Sequence, residues 1–280
     1  MSRPTSRLPR PRRRFGQHFL VDPAIVAGIL ELVRPDPEEA VVEIGPGRGV
    51  LTRPLVKALD RLVAIEIDRD LAAYLRDQIA SPAFRLIEGD ALDLDLAAIA
   101  QEQGAERLLV VGNIPYNITA PLIFRLLEQL SHVGRAILMV QQEVARRLTA
   151  QPGSRDYSLL TVLLAMHGQA RIELAVGPRS FRPSPRVHSA VVQIEFSTPC
   201  RCQVRDENHF ARLVRTAFGQ RRKMLRNSLL SLATEGGREQ LEEIGKLADI
   251  DLERRPETLS LEEFACMSDA FLRIGRGGEG

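Results

Sequence analysis

The sequence predicts an α/β protein, a doubly wound and mostly parallel sheet followed by a small all-α region. Three observations carry this. The apolar run Val41–Ile44 leads directly into Gly45-Pro46-Gly47-Arg48-Gly49 and a helical pattern from about Val50, the strand, glycine loop and helix that open such a sheet. Short apolar runs then alternate with amphipathic stretches as far as Phe196. After Pro199 no strand pattern appears, only helical periodicity.

Composition is that of a globular chain, with 280 residues, hydrophobic 44%, charged 26% and a net charge of +2. The length exceeds a typical single domain. It divides into a basic tail over 1–13, a large domain over 14–199 and a small helical domain over 200–280. So small a net charge argues against a protein that coats a polyanion along its whole surface. Nearly all the positive charge is arginine, the only lysines being Lys57, Lys223 and Lys246. Arginine forks suit phosphate, and a GC-rich genome gives the same excess. No apolar run is long enough to span a bilayer and no hydrophobic leader opens the chain, so a cytoplasmic protein with no membrane role is expected. Cys200, Cys202 and Cys266 are odd in number with no completing His or Cys cluster; they read as reduced thiols, and no metal site is expected.

The tail carries Arg3, Arg7, Arg10, Arg12 and Arg13 with no acid, and it is expected to be disordered. It reads either as a non-specific nucleic-acid arm or as a solvated tail; Pro4, Pro9 and Pro11 break the helix a mitochondrial presequence needs. Phe15-Gly16-Gln17-His18-Phe19-Leu20 precedes a helix that Asp22-Pro23 starts and Pro35 and Pro37 end. His18 there is either a packed histidine or a ligand contact.

The second strand, Leu62–Ile65, ends in Glu66-Ile67-Asp68. Glu66 lies 21 residues after Gly45, the position from which a carboxylate grips ribose hydroxyls. The spacing G-x-G-x-G is not that of the dinucleotide motif, so the glycine loop alone decides little. After a helix over Asp70–Ile79, a third strand, Phe84–Ile87, leads to Asp90. A carboxylate there caps the next segment, accepts from an exocyclic amine, or does both.

The fourth strand, Leu108–Val111, delivers Asn113-Ile114-Pro115-Tyr116-Asn117-Ile118. Pro115 stiffens the turn, Asn113 offers an amide, and Tyr116 offers a flat ring. A rigid acceptor beside an aromatic face suits a nucleobase with an exocyclic amine; the plain alternative is a strand-end turn. Pro121 opens a helix through Leu130, and Ala136–Val140 is a fifth strand. Gln141–Ala150 is a helix bearing Arg146 and Arg147, and Leu159–Met166 is a buried helix. Ile172–Val176 and Ala190–Phe196 close the sheet as a hairpin, and the long loop between them holds Phe181, a candidate second aromatic wall. Further on, Phe210, Leu213, Val214 and Ala217 form an apolar stripe. Arg221, Arg222, Lys223 and Arg226 form a basic cluster that Gly219 separates from that helix, suited to phosphate or simply solvated.

Five blocks in this order resemble the ribosomal RNA adenine N6,N6-dimethyltransferase family: Gly16–Leu20, Glu43–Gly49, Asn113–Asn117, Phe181–Ser189 and Phe218–Lys223. The last block, with Arg254–Ser260, is similar to the bacterial small-subunit branch. The resemblance implies a class I S-adenosylmethionine-dependent methyltransferase fold with a seven-stranded sheet. It implies S-adenosylmethionine as donor, no metal, and a target of two adjacent adenosines near the 3′ end of small-subunit rRNA in an assembling subunit, worked on by a monomer. By the same resemblance His18, Leu20, Gly45, Gly47, Glu66, Asp90 and Asn113 line the donor site, and Asn113, Tyr116 and Phe181 face the target base. Three alternatives compete. A large-subunit methyltransferase of the resistance type has the same motifs, and a non-catalytic assembly factor would keep the fold. A nicotinamide-dependent dehydrogenase explains Glu66 but leaves Asn113–Tyr116 without a job.

Overall fold

A computed structural model of the chain describes residues 8–9, 11–12, 16–36, 39–197, 200–233 and 236–275. It forms two compact units, Met1–Ala145 with Gln169–Ser197, and Arg146–Gly168 with Thr198–Gly280. The boundary thus differs from the division at residue 199. Residues 146–168 group with the helical region because the helix α7 (Leu159–His167) is apolar nearly all round and packs against helices α8 (Glu207–Gly219) and α11 (Leu261–Gly275).

The first unit holds a seven-stranded sheet. Its strands are β2 (Glu39–Ile44), β3 (Leu62–Glu66), β4 (Phe84–Glu88), β5 (Arg107–Asn113), β6 (Val133–Gln141), β7 (Gly168–Val176) and β9 (Ser189–Phe196), in the order β4-β3-β2-β5-β6-β9-β7. The pairings β2/β3, β3/β4, β2/β5 and β5/β6 are parallel, and β9 runs antiparallel to β6. Val42 sits opposite both Val63 and Val110, and all three are fully buried. Helices on both faces of such a sheet produce these continuous apolar strands. From β2 the chain winds outward one way through β3 and β4, then the other way through β5 and β6. The connections that leave the carboxyl ends of the adjacent strands β2 and β5 therefore diverge at a topological switch point. Gly112 makes that junction possible, since a Cβ there would lie 2.3 Å from the Ile44 carbonyl oxygen.

The helices begin where their caps direct. Asp22 caps α1 (Pro23–Leu32), and Asp68 caps α3 (Arg69–Gln78). Pro121 falls in the first turn of α5 (Thr119–Glu128), where it costs no internal hydrogen bond. Helix α4 (Leu96–Gln103) was not expected, although Asp95 caps it and Gly104 ends it in the left-handed region. The other helices of this unit are α2 (Thr52–Ala58) and the start of α6 (Gln142–Leu148).

A second, two-stranded sheet joins β1 (Phe19–Leu20) to β8 (Phe181–Arg182), with Phe19 opposite Arg182 and Leu20 opposite Phe181. It ties the start of the chain to the long loop before β9. The expectation of a disordered tail does not hold for its described part. Arg12 pairs with Asp68 at 3.2 Å and with Asp70, and Pro9 accepts from Arg48 Nη2 at 2.7 Å. Arg3, Arg7, Arg10, Arg13, Phe15, Pro37, Pro199 and the frayed end expected over 276–280 lie outside the described residues.

In the second unit, α8 buries the predicted stripe of Phe210, Leu213, Val214 and Ala217. Helices α9 (Leu225–Ser228), α10 (Gly237–Ala248) and α11 complete it. Helix α8 ends at Gly219, so Arg221, Arg222 and Lys223 lie in the non-helical turn before α9. No helix among the described residues is long and apolar enough to cross a membrane.

Candidate active site

A cavity opens at the switch point. It takes Gly45 and Gly47 from the turn after β2, Glu66 from the end of β3, Asp90 from beyond β4, Asn113 and Tyr116 from β5 and its turn, and His18 from beside β1. These residues come together only because the parallel strands all end on one side of the sheet.

Glu66 is buried, with one carboxylate oxygen accepting from the Gly47 N–H at 3.0 Å and the other from the Asp68 N–H at 2.9 Å. A carboxylate has about four lone-pair sites, so capacity remains for hydroxyls entering from the cavity. Burial pushes the Glu66 pKa up, and the two backbone N–H groups oppose it. Gly47 must be glycine: its φ is +58°, and a Cβ would come within 3.1 Å of the Phe19 ring. Asp90 spends one oxygen on the Leu92 N–H at 2.9 Å, capping a 3-10 turn, and still lines the cavity. Beside Glu66, Ile67 is 44% exposed and faces the same cavity, an apolar shelf for a flat ring. Its exposure is set by the tertiary fold, and no local pattern around Ile67 singles it out.

Asn113 donates its side-chain N–H to the His18 carbonyl at 2.8 Å. That contact assigns the amide orientation and leaves Oδ1 as an acceptor. The Tyr116 hydroxyl pairs with Ser189 Oγ at 2.8 Å, and burial pushes its pKa up, so it stays a neutral phenol. The His18 and Tyr116 rings stack, with centroids 5.8 Å apart and 23° between planes. His18 Nδ1 lies 2.7 Å from the Pro183 carbonyl oxygen and therefore donates to it, leaving Nε2 as the acceptor nitrogen when neutral.

Two assigned residues are placed elsewhere. Phe181 is fully buried among Leu20, Val176 and Val191 in the apolar core and does not line the cavity, so it is not the second aromatic wall here. Its register opposite Leu20 turns its ring inward. Leu20 is likewise a core residue, facing the hollow behind the glycine loop. The ring that does accompany Tyr116 is His18. Sequence reading also gave Glu43 no separate role. It is fully buried next to the site, and Oε2 has no hydrogen-bond partner among the described residues; burial, with the Thr52 hydroxyl opposing and the Glu66 charge adding, raises its pKa to about 8.

In the second unit, Arg146 and Arg147 are exposed on α6. Arg221 donates to the Arg155 carbonyl at 2.6 Å and approaches Glu257, and Arg226 pairs with Glu253 at 3.0 Å. Arg222 and Lys223 are exposed with no ion pair among the described residues. No group of three or more His, Cys, Asp or Glu among the described residues is arranged to hold a metal ion.

The cavity fits a nucleoside-bearing donor: spare lone pairs on Glu66 and Asp90, an apolar shelf at Ile67, and backbone at Gly47 that admits close approach. Comparisons with known proteins agree. The family model "Ribosomal RNA adenine dimethylase" matches residues 9–266. The chain is 40% identical over 267 residues to a Ribosomal RNA small subunit methyltransferase A of Geobacter metallireducens, covering 95% of this chain and 97% of that one. It is 42% identical over 262 residues to a protein of the same name from Myxococcus xanthus, covering 94% and 91%. Among solved structures, a dimethyladenosine transferase from Plasmodium falciparum shares the fold, with a TM-score of 0.78 at 23% identity over 92% of this chain and 98% of that one. The 23S rRNA methyltransferase ErmE matches with a TM-score of 0.68 at 26% identity over 90% and 99%. The fold is thus that of a class I S-adenosylmethionine-dependent methyltransferase, as the resemblance of the five sequence blocks implies. With a family model matched over residues 9–266 and 40% identity to a relative along nearly its whole length, the chain belongs to the ribosomal RNA adenine dimethylase family.

Proposed function

We propose that this protein dimethylates the N6 amino groups of two adjacent adenosines in the hairpin near the 3′ end of small-subunit ribosomal RNA. S-adenosylmethionine is its methyl donor. The observation that carries this reading is Asn113, its side-chain N–H held by the His18 carbonyl and its Oδ1 left as an acceptor, lining one cavity with Tyr116.

The donor, when bound, supplies a methyl group already activated on a sulfonium. The chain's own task is the acceptor, because the lone pair of adenine's amine is delocalised into the ring. Asn113 Oδ1 and the Ile114 carbonyl accept the two amino hydrogens and hold the nitrogen pyramidal, with its lone pair turned toward the donor site. This is catalysis by orientation, aided by acceptors that stabilise positive charge growing on nitrogen. Tyr116, fixed by Ser189, gives the flipped base a face to stack on, which offsets unstacking by roughly 1–3 kcal/mol. For the second transfer one amino hydrogen is gone, and a site walled by rings rather than closed by polar groups tolerates the bulkier amine. Water takes the released proton.

The small-subunit target rests on the names of the relatives and on the blocks Phe218–Lys223 and Arg254–Ser260, the large-subunit RNA being the second reading. We take the working form to be a cytoplasmic monomer that meets its RNA in an assembling subunit, with Arg146, Arg147, Arg221, Arg222, Lys223 and Arg226 on the RNA side. Labelled methyl transfer onto unmethylated small subunits, with mapping of the modified bases, tests it. Two adjacent dimethyladenosines are expected. Label confined to large-subunit RNA, or no label at all, would overturn the assignment.

A further inference from the structure

We propose that the loop Gly177–Ser189 is a phosphate clamp that grips the RNA backbone beside the flipped adenosine. This rests on the RNA-methyltransferase reading and names a contact surface additional to the basic residues of the second unit.

The loop carries Arg179, Arg182, Arg186 and His188 and contains no Asp or Glu. All four side chains are exposed. None of the three arginines forms an ion pair among the described residues. Elsewhere in the same unit Arg12, Arg69, Arg76, Arg85, Arg125, Arg135 and Arg171 form ion pairs, and Arg48, Arg53 and Arg107, which form none among the described residues, are held by backbone carbonyls. Among the described residues the Arg182 guanidinium donates to the carbonyls of Arg179 and Phe181 and to no carboxylate. The nearby carboxylate of Asp22 is occupied by Ser180 Oγ at 2.8 Å and by the Ala24 N–H. Guanidinium groups left exposed and unpaired on a fixed backbone are what a phosphodiester needs from a protein surface.

The position is as informative as the charge. Four contacts bolt the loop to the acceptor side of the cavity. Arg182 sits opposite Phe19 in the β1/β8 pair, the Pro183 carbonyl holds His18, Ser189 holds Tyr116, and the His188 carbonyl accepts from the Gln142 N–H at 3.0 Å. The two rings so held, His18 and Tyr116, line the cavity. An adenosine stacked on Tyr116 remains joined to its own phosphates, and the basic loop is attached to the residue carrying that ring. Phosphate contacts position a nucleic acid without reading its sequence, so the clamp sets how the target strand enters.

The test is the triple variant Arg179→Gln/Arg182→Gln/Arg186→Gln beside Arg171→Gln, which removes the same kind of charge from the edge strand β7. Binding of a small-subunit RNA fragment is measured across a salt series, and S-adenosylhomocysteine binding is measured by calorimetry. The triple variant is expected to weaken RNA binding by on the order of 10–100-fold at low salt and to reduce the slope of log K against log salt by about 2. Donor-site affinity should be unchanged, which also shows that the fold is kept. Arg171→Gln should change neither quantity, and the triple Lys variant should restore most of the slope. RNA affinity and salt slope in the triple variant equal to wild type, with methylation intact, would overturn the clamp and leave the enzyme assignment standing. Failure of the wild-type protein to bind or methylate any ribosomal RNA would overturn the enzyme assignment itself.

Discussion

Asn113 illustrates how one hydrogen bond gives a residue its role. Its side-chain N–H donates to the His18 carbonyl, which leaves Oδ1 as an acceptor on a residue that lines the cavity. Replacement by alanine removes the acceptor that we propose orients the amine. Asn113→Ala should lower kcat by on the order of 100-fold. RNA affinity should stay near wild type, and calorimetry with S-adenosylhomocysteine should show a folded donor site. Near-wild-type turnover would sink the orienting role. Glu43 gives the second residue-scale expectation. Its folded pKa, raised to about 8 from an ordinary 4.5, means that the folded state holds its proton more tightly than the unfolded chain does. The stability it contributes is therefore fully present below its ordinary range and is lost as pH rises toward about 8. Glu43→Gln keeps the neutral shape and removes the titration. Thermal melts from about pH 5 to about pH 9 should show wild type falling relative to the variant, with the gap levelling above about pH 8. A gap independent of pH would show that Glu43 is not the buried proton holder.

At the scale of elements, the site depends on how closely β2 and β5 approach at the switch point. Gly112 permits this because the Ile44 carbonyl oxygen occupies the place of its side chain. The obstacle is backbone within a parallel pair, which cannot rotate away as a side-chain tip can. Gly112→Ala should cost roughly 1–3 kcal/mol or more, read as a lower melting temperature. It should also weaken donor binding, since Gly45 and Asn113 sit at the ends of the strands it forces apart. An unchanged melting temperature would mean that the strands separate more easily than this register implies. The pairing of β1 with β8 works similarly: two residues from each segment fix His18 and the arginine-rich loop against the same cavity.

At the scale of the whole molecule, the first unit is discontinuous in sequence. The chain leaves it after Ala145, contributes Arg146–Gly168 to the second unit, and returns for β7 to β9. Helix α7 within that excursion buries Leu160, Val162, Leu163, Leu164 and Met166. It packs on α8 and α11, both of which follow residue 199. A fragment ending at Ser197 should therefore expose the α7 face, bind a hydrophobic dye and aggregate on purification. A soluble fragment with a cooperative melt would show that the sheet unit stands without its helical complement.

Much of this was legible in the sequence where the signal is local. The strand, glycine loop and helix, the 21-residue spacing to Glu66, and the stiff Asn113–Tyr116 turn all depend on neighbours along the chain. These sufficed for the sheet and for most of the residues that line the cavity at its switch point. What the tertiary structure decided depends on partners far apart in sequence. Phe181 carries the same aromatic ring whether it lines a pocket or fills a core, and only its register opposite Leu20 turned it inward. His18 became the ring beside Tyr116 because Pro183, 165 residues away, holds it there. Residues 146–168 joined the helical unit because an all-apolar helix takes whichever partners cover it, and those partners are encoded after the sheet is complete. Local pattern determined the types of element; burial and long-range hydrogen bonding determined which side chains line the cavity.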